Sequence, residues 1–224
     1  MRLGVFSPQV KDRLSSKTNI WIHAVSVGEV MMISHLIAKI KSAYPNYNIV
    51  LTVTTKTGYE LACLKLGSEV VVIPSPLDFT WVVSAFVRLI KPRIYIAAET
   101  EIWPNLFNCL HKQNIPIAIV NGRISDASFG RYKVIKFLLE KVLKKVSLFC
   151  MQGDMDVHRI VELGAVKEKV LSVGNIKFDD LSLDRENDFK LPIPPNCFLW
   201  IAGSTHPGEE EIVLKVYDRH KDSF

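Results

Sequence analysis

The chain has 224 residues, 48% of them apolar and 23% charged, with a formal net charge of +5. The apolar share is enough for a core and excludes a disordered chain; the length fits one large domain, or one domain with part of another. No apolar run approaches the roughly 20 residues that span a bilayer. The start, Met1-Arg2-Leu3-Gly4-Val5-Phe6-Ser7, has no signal-peptide core, so the chain as given is expected to be cytoplasmic and not transmembrane. The basic excess favours anionic partners, whether phosphate groups, nucleic acid or an acidic membrane surface.

In chain order, apolar β-rich runs at 20–27, 48–54, 69–73, 94–98, 116–120, 148–152 and 169–173 predict strands. Helical patterns at 30–42, 59–66, 79–90, 104–113, 129–145 and 154–163 separate them. This alternation predicts an α/β fold, a Rossmann-like doubly wound parallel sheet covered on both faces. Pro104 suits a first helical turn, Asp154 a helix start and Gly164 a helix C-cap. From Arg131 to Val146 one helix is expected, with Val134, Ile135, Leu138, Leu139, Val142 and Val146 on one face and five lysines around the other. That pattern fits a cover for the sheet, or a basic outer face held on an anionic membrane.

The pattern changes after 180. We expect an N-terminal domain over 1–180, a Pro-containing linker over 181–196, and the beginning of a second domain over 197–224. The last part reads as a strand at 198–202 and a helix from 208 to about 217. A lone βα unit of about 30 residues cannot bury its own core, so the chain is expected to be truncated on its C-terminal side. The alternative is that this unit adds one more strand to the first sheet. The cysteines, Cys63, Cys109, Cys150 and Cys197, lack C-x-x-C spacing and read as buried free thiols in a reducing compartment.

Ligands of open α/β sheets sit beyond the carboxyl ends of the strands, and four polar motifs fall there. In Ser26-Val27-Gly28-Glu29, Glu29 either complements a helix N-terminus or acts as a general base, and Gly28 lets a substrate approach the backbone. Glu99-Thr100-Glu101-Ile102-Trp103-Pro104-Asn105 sets two carboxylates two residues apart. Helix capping accounts for Glu101 but not for Glu99, which can orient a sugar hydroxyl or balance positive charge. Lys177, in Gly174-Asn175-Ile176-Lys177-Phe178-Asp179, is either simply solvated or faces a cleft where it stabilises a departing phosphate. In Gly203-Ser204-Thr205-His206-Pro207-Gly208-Glu209-Glu210-Glu211, Ser204 and Thr205 either cap a helix or hold a phosphate.

There is no G-x-G-x-x-G after the first strand and no P-loop, which argues against a dinucleotide oxidoreductase or an NTPase. Asp154-Met155-Asp156 matches a D-x-D metal motif but lies at a helix start, and the histidines have no metal-ligand spacing.

Together the motifs resemble the 3-deoxy-D-manno-octulosonic acid (Kdo) transferases that act on the lipid A precursor. The resemblance runs from Trp21-Ile22-His23-Ala24-Val25-Ser26-Val27-Gly28-Glu29 through Thr54-Thr55-Lys56-Thr57-Gly58, the Glu99 motif, Asn121-Gly122-Arg123-Ile124-Ser125, Leu163-Gly164-Ala165 and the last two motifs. It covers almost the whole chain but about the first half of a typical member. It implies a two-domain GT-B fold, with an N-terminal acceptor domain and a C-terminal domain that binds CMP-Kdo.

By this resemblance Glu29 is the general base and Glu99 and Lys177 stabilise the transition state. Ser26, Gly28, Glu101, Asn121, Arg123, Ser204 and Thr205 are expected to contact substrate. The implied reaction is inverting and needs no metal or cofactor. Its implied partners are CMP-Kdo, a lipid A precursor and the anionic inner-membrane surface, with the protein peripheral on the cytoplasmic face and no role for nucleic acid. Alone, the chain is expected to bind CMP-Kdo poorly. The alternatives are an inactive acceptor-binding fragment or another GT-B nucleotide-sugar enzyme.

Overall fold

The computed structural model describes residues 1–15, 17–178 and 199–221. The chain divides into two compact units, Met1–Leu181 and Ser182–Phe224. In the first unit the order is α1 (Pro8–Ser15), β1 (Thr18–Ala24), α2 (Val27–Ala43), β2 (Tyr47–Val53), α3 (Lys56–Leu66), β3 (Val71–Pro74) and α4 (Thr80–Ile90). It continues with β4 (Pro92–Ala98), α5 (Pro104–Lys112), β5 (Ile117–Gly122), α6 (Asp126–Val134), α7 (Lys136–Leu143), β6 (Leu148–Met151), α8 (Asp154–Glu162) and β7 (Val170–Ser172). A 3-10 turn at Ile176–Phe178 follows.

All seven expected strands form one parallel sheet in the order β3-β2-β1-β4-β5-β6-β7. Their near-continuous apolar sequences follow from burial on both faces. On β1, Trp21 joins the core shared with α1, α4, α5, α7 and α8, while Ile20, Ile22 and Ala24 join the core under α2 and α3. Tyr95 and Ala97 against Ile96 and Ala98 repeat this alternation on β4. The period-two geometry of a strand distributes one apolar run between two cores.

The connection order reverses between β1 and β4: β1 leads to β2 on one side, and β4 leads to β5 on the other. This is the topological switch point, where the loops beyond the strand ends diverge and leave a crevice.

Several expectations need correction. Helix α1 has no counterpart in the apolar pattern because it buries only Leu14. The single helix expected after β5 is broken at Ile135, which ends α6 and precedes α7. Leu139, Val142 and Val146 are buried as expected, but Val134, Ile135 and Leu138 are exposed. Among the described cysteines none is fully buried; Cys63 is exposed and Cys109 and Cys150 are intermediate, all three as free thiols.

In the second unit, residues 199–203 form no strand, and α9 (Glu209–His220) is the regular element described there. Among the described residues, the seven strands of the sheet all come from the first unit. The predicted linker and Cys197 lie outside the described residues.

Candidate active site

β1 ends at Ala24, and Ser26 caps α2 in extended geometry, with its hydroxyl accepting from the Glu29 N–H. The Glu29 carboxylate turns back on the same corner. One oxygen accepts from the Val25 N–H at 2.8 Å and the other from the Ser26 hydroxyl at 3.1 Å. This is a capping-box arrangement one residue longer than usual, so the helix-terminus reading of Glu29 is geometrically real. It also leaves the carboxylate fixed at the mouth of the sheet, held by two donors, with lone pairs to spare on each oxygen.

Burial pushes the Glu29 pKa up and the nearby Glu99 charge adds to this, while the Val25 and Ser26 hydrogen bonds pull the other way. Glu101 is also pushed up, first by burial and then by the charges of Glu29 and Glu99. The carboxylates of Glu29, beyond β1, and Glu101, beyond β4, therefore both lie in the field of Glu99. Glu101 does not cap α5. That helix starts at Trp103, whose side chain makes no capping bond, with Pro104 at its first position.

Asp78, which the motif reading passed over, supplies the cap from the loop before α4. Its two carboxylate oxygens accept from Asn105 N–H at 3.0 Å and Leu106 N–H at 2.8 Å, and the Asn105 amide donates to its carbonyl at 2.6 Å. The sequence signal was the missing Ser, Thr, Asp or Asn before Pro104, which requires a donor-satisfying group from elsewhere. Asp78→Ala is expected to cost about 1–2 kcal/mol, measured by urea unfolding, because two helix N–H groups lose their acceptor.

Glu99 has a left-handed backbone, φ 56°, as does Asn121 at φ 56°. Such φ values are uncommon for non-glycine residues and cluster at functional sites. The Glu99 N–H donates to the Val120 carbonyl at 2.8 Å. The Thr100 hydroxyl stitches the next loop down, donating to the Arg123 carbonyl at 2.6 Å, while the Arg123 N–H donates to that hydroxyl at 2.9 Å. The Arg123 side chain itself is exposed at the rim.

Asn121, expected to contact substrate, is fully buried in this structure. Its amide nitrogen faces the Met32 sulfur on α2, and its oxygen accepts from the Ile176 N–H at 3.1 Å. Asn121 is therefore a strut between the helix that carries Glu29 and the turn that carries Lys177. The exposed Lys177 donates its N–H to the Asn175 side chain, and the Asn175 amide is bonded to Gln152. Asp156 of the D-x-D accepts from the Ile124 N–H at 2.8 Å, so that carboxylate braces the loop after β5.

Two glycines differ in what they exclude. A Cβ on Gly58 would meet the Thr55 hydroxyl at 2.8 Å, Val53 at 3.0 Å and the Ser26 backbone at 3.2 Å. Thr55 in turn holds the Val25 carbonyl through its hydroxyl and its N–H, both at 2.9 Å. The Thr54–Gly58 motif thus buttresses the corner that presents Glu29. On exposed Gly28, by contrast, a Cβ would meet nothing nearer than the Ser26 hydroxyl at 3.9 Å.

Packing within the chain therefore explains Gly58 and leaves Gly28 without an internal reason. Gly58→Ala is expected to destabilise by about 1–3 kcal/mol. Gly28→Ala is expected to stabilise by about 0.4–1 kcal/mol, through helix propensity and a less flexible unfolded chain. Thermal unfolding of the two variants side by side checks both signs.

In the second unit Ser204 has φ 57°, and the Thr205 hydroxyl donates to the Glu210 carboxylate at 2.6 Å. Gly208, and neither Ser204 nor Thr205, occupies the N-cap of α9.

Residues 1–180 match the family model described as 3-Deoxy-D-manno-octulosonic-acid transferase (kdotransferase). The chain is 42% identical over 217 residues to a bifunctional glycosyltransferase/methyltransferase of Fusobacterium nucleatum, covering 93% of this chain and 34% of that protein. It is 35% identical to a 3-deoxy-D-manno-octulosonic acid transferase of Haemophilus influenzae, covering 95% of this chain and 54% of that one. For a transferase of the same name from Chlamydophila psittaci the identity is 30%, with coverage of 96% and 51%. The chain thus spans between about a third and about half of these relatives.

Among solved structures, the S. aureus MnaA–UDP co-structure superposes with a TM-score of 0.54 at 14% identity, over 78% of this chain and 50% of that one. A UDP-N-acetylglucosamine 2-epimerase gives 0.53 at 11%, over 79% and 53%. At such identities the likeness speaks for the fold alone, a GT-B-type Rossmann-like half. The family model over residues 1–180, together with relatives at 30–42% identity over more than nine-tenths of the chain, places the sequence: the chain belongs to the 3-deoxy-D-manno-octulosonic acid transferase family.

Proposed function

We propose that this chain is the acceptor-side half of a glycosyltransferase of lipopolysaccharide biosynthesis, which moves Kdo from CMP-Kdo to a lipid A precursor with inversion. The observation that carries the reading is the placement of three carboxylates at the switch point, Glu29 beyond β1 and Glu99 and Glu101 beyond β4, with the Glu29 carboxylate fixed by the Val25 N–H and the Ser26 hydroxyl. Glu29 takes the proton from the acceptor hydroxyl as it attacks the anomeric carbon. Expulsion of CMP leaves positive charge on the sugar and negative charge on the phosphate. Glu99 faces the first and Lys177 the second, so each group binds the transition state more tightly than the ground state. Ser26 orients the Glu29 carboxylate, Gly28 leaves room for the acceptor, and Arg123 and Glu101 line the rim. Ser204 and Thr205 belong to the donor side.

The test is transfer of labelled Kdo from CMP-Kdo to a lipid A precursor by a protein in which this chain is continued by a donor-binding half. Transfer supports the reading; intact CMP-Kdo together with hydrolysis of a UDP-sugar overturns it in favour of another nucleotide-sugar enzyme.

A further inference from the structure

Among the described residues, three buried side-chain polar atoms have no hydrogen-bond partner within the chain: His23 Nε2, Trp103 Nε1 and the Tyr95 hydroxyl. His23 is 2% exposed and Tyr95 0%. Folded cores leave few such atoms, because each carries the desolvation cost of a bond not made. These three also gather around one ring. His23 meets Trp103 edge to face, with ring centroids 5.8 Å apart, and lies beside Tyr95 at 6.4 Å.

The bonds already made decide which His23 nitrogen is bare. The Thr52 hydroxyl accepts from the Trp21 indole N–H at 2.9 Å and donates its one proton to the Ile22 carbonyl at 3.3 Å. What remains on that oxygen is a lone pair, and His23 Nδ1 lies 3.0 Å from it. Nδ1 therefore carries the ring proton and donates to Thr52, which leaves Nε2 as an acceptor. Burial holds the His23 pKa down to about 4, so the ring is neutral near neutral pH and Nε2 stays bare. Trp103 Nε1, in contrast, can only donate.

His23 and Trp103 line one cavity of about 10 Å³, together with Pro76, Asp78 and Leu106. One water needs about 10–15 Å³. Other small occupants suit these walls badly. A cation would meet the Trp103 N–H and an anion the Asp78 carboxylate, while an apolar group would leave both orphan nitrogens unbonded. Water offers a lone pair to the indole and a proton each to the imidazole and the carboxylate. The Asp78 oxygens accept from the Asn105 and Leu106 N–H groups and still have lone pairs for it.

We propose that this cavity is a binding site for one internal water, which accepts from Trp103 Nε1–H and donates to His23 Nε2 and to the Asp78 carboxylate. The water joins β1, the loop before α4 and the residue that starts α5, directly under the switch point. Tyr95 does not line the cavity and is not one of its partners. The site rests on no part of the transferase reading.

The test is magnetisation transfer from water, by NMR on the isotope-labelled 224-residue chain at neutral pH, with the Trp103 indole resonance assigned by its loss in Trp103→Phe. That indole proton is expected to show a nuclear Overhauser effect to water with the sign of a long-lived internal molecule. The imidazole nitrogen shifts of His23 should show a protonated Nδ1 and a bare Nε2. His23→Phe removes the acceptor and should abolish the indole signal, whereas Tyr95→Phe should leave it intact. An absent signal, the sign of fast surface hydration, a proton on Nε2, or a signal unchanged in His23→Phe overturns the proposal. The sign and the tautomer are both read on the wild-type chain, so the test stands even where His23→Phe does not fold. No transfer chemistry enters the experiment, so its failure and that of the transferase reading are independent.

Discussion

Glu29→Gln is expected to lower Kdo transfer by about 10²–10⁴-fold in a protein that joins this chain to a donor-binding half, with the KM for acceptor changed far less. The amide keeps an oxygen that can accept from the Val25 N–H and is nearly isosteric, so the corner between β1 and α2 should stay folded. What is lost is a group able to take the acceptor proton. A second readout separates a base from a mere cap. A base works only when deprotonated, and burial together with the Glu99 charge holds the Glu29 pKa above its ordinary value. The acid limb of the pH–rate profile should therefore lie above the usual carboxylate range. Glu99→Gln should move that limb down, whatever it does to the plateau. An acid limb unmoved in Glu99→Gln removes the Glu99 contribution, and transfer at the wild-type rate in Glu29→Gln removes Glu29 from the role.

The sheet could be read from the chain because each strand is a short apolar run buried on both faces, a pattern that survives uncertainty of a few residues at either end. Strand β1 shows it: 20–27 was expected, and Thr18–Ala24 forms, with six of its seven residues buried. The place of Glu29 and Glu99 in the fold could also be read, since both follow strands that flank the switch point. Interactions between segments distant in sequence could not. Asp78 caps a helix 26 residues further on, and Asn121 reaches both Met32 and Ile176, so neither shows a local pattern. The break at Ile135 was hidden for the opposite reason. The apolar spacing on either side of it is compatible with one helix, and only the packing of α7 on the core sets a different phase.

Between pH 6.5 and about 4 the fold is expected to lose about 3 kcal/mol through one buried histidine. His23 sits inside β1, 2% exposed, with Nδ1 against the Thr52 hydroxyl at 3.0 Å and Nε2 without a protein partner. Its ring faces Tyr95 and Trp103, and Asp78 lines the same small cavity with its carboxylate already committed to Asn105 and Leu106. Burial lowers its pKa from 6.5 to about 4. As the pH falls, the unfolded chain takes up this proton first. The stabilisation is therefore complete above 6.5 and drains away toward 4, at about 1.4 kcal/mol per pH unit. Glu29 and Glu101 work against this: their raised pKa values make their protonated forms compatible with the fold, so acid relieves the repulsion at the switch point. The wild-type slope is the sum of both effects, and the comparison with His23→Gln isolates the histidine. Urea unfolding at pH steps from 7 to 4 should give a variant less stable at neutral pH, with its deficit shrinking steadily as the pH falls. A deficit constant across that window would mean that His23 titrates alike in the folded and unfolded chain.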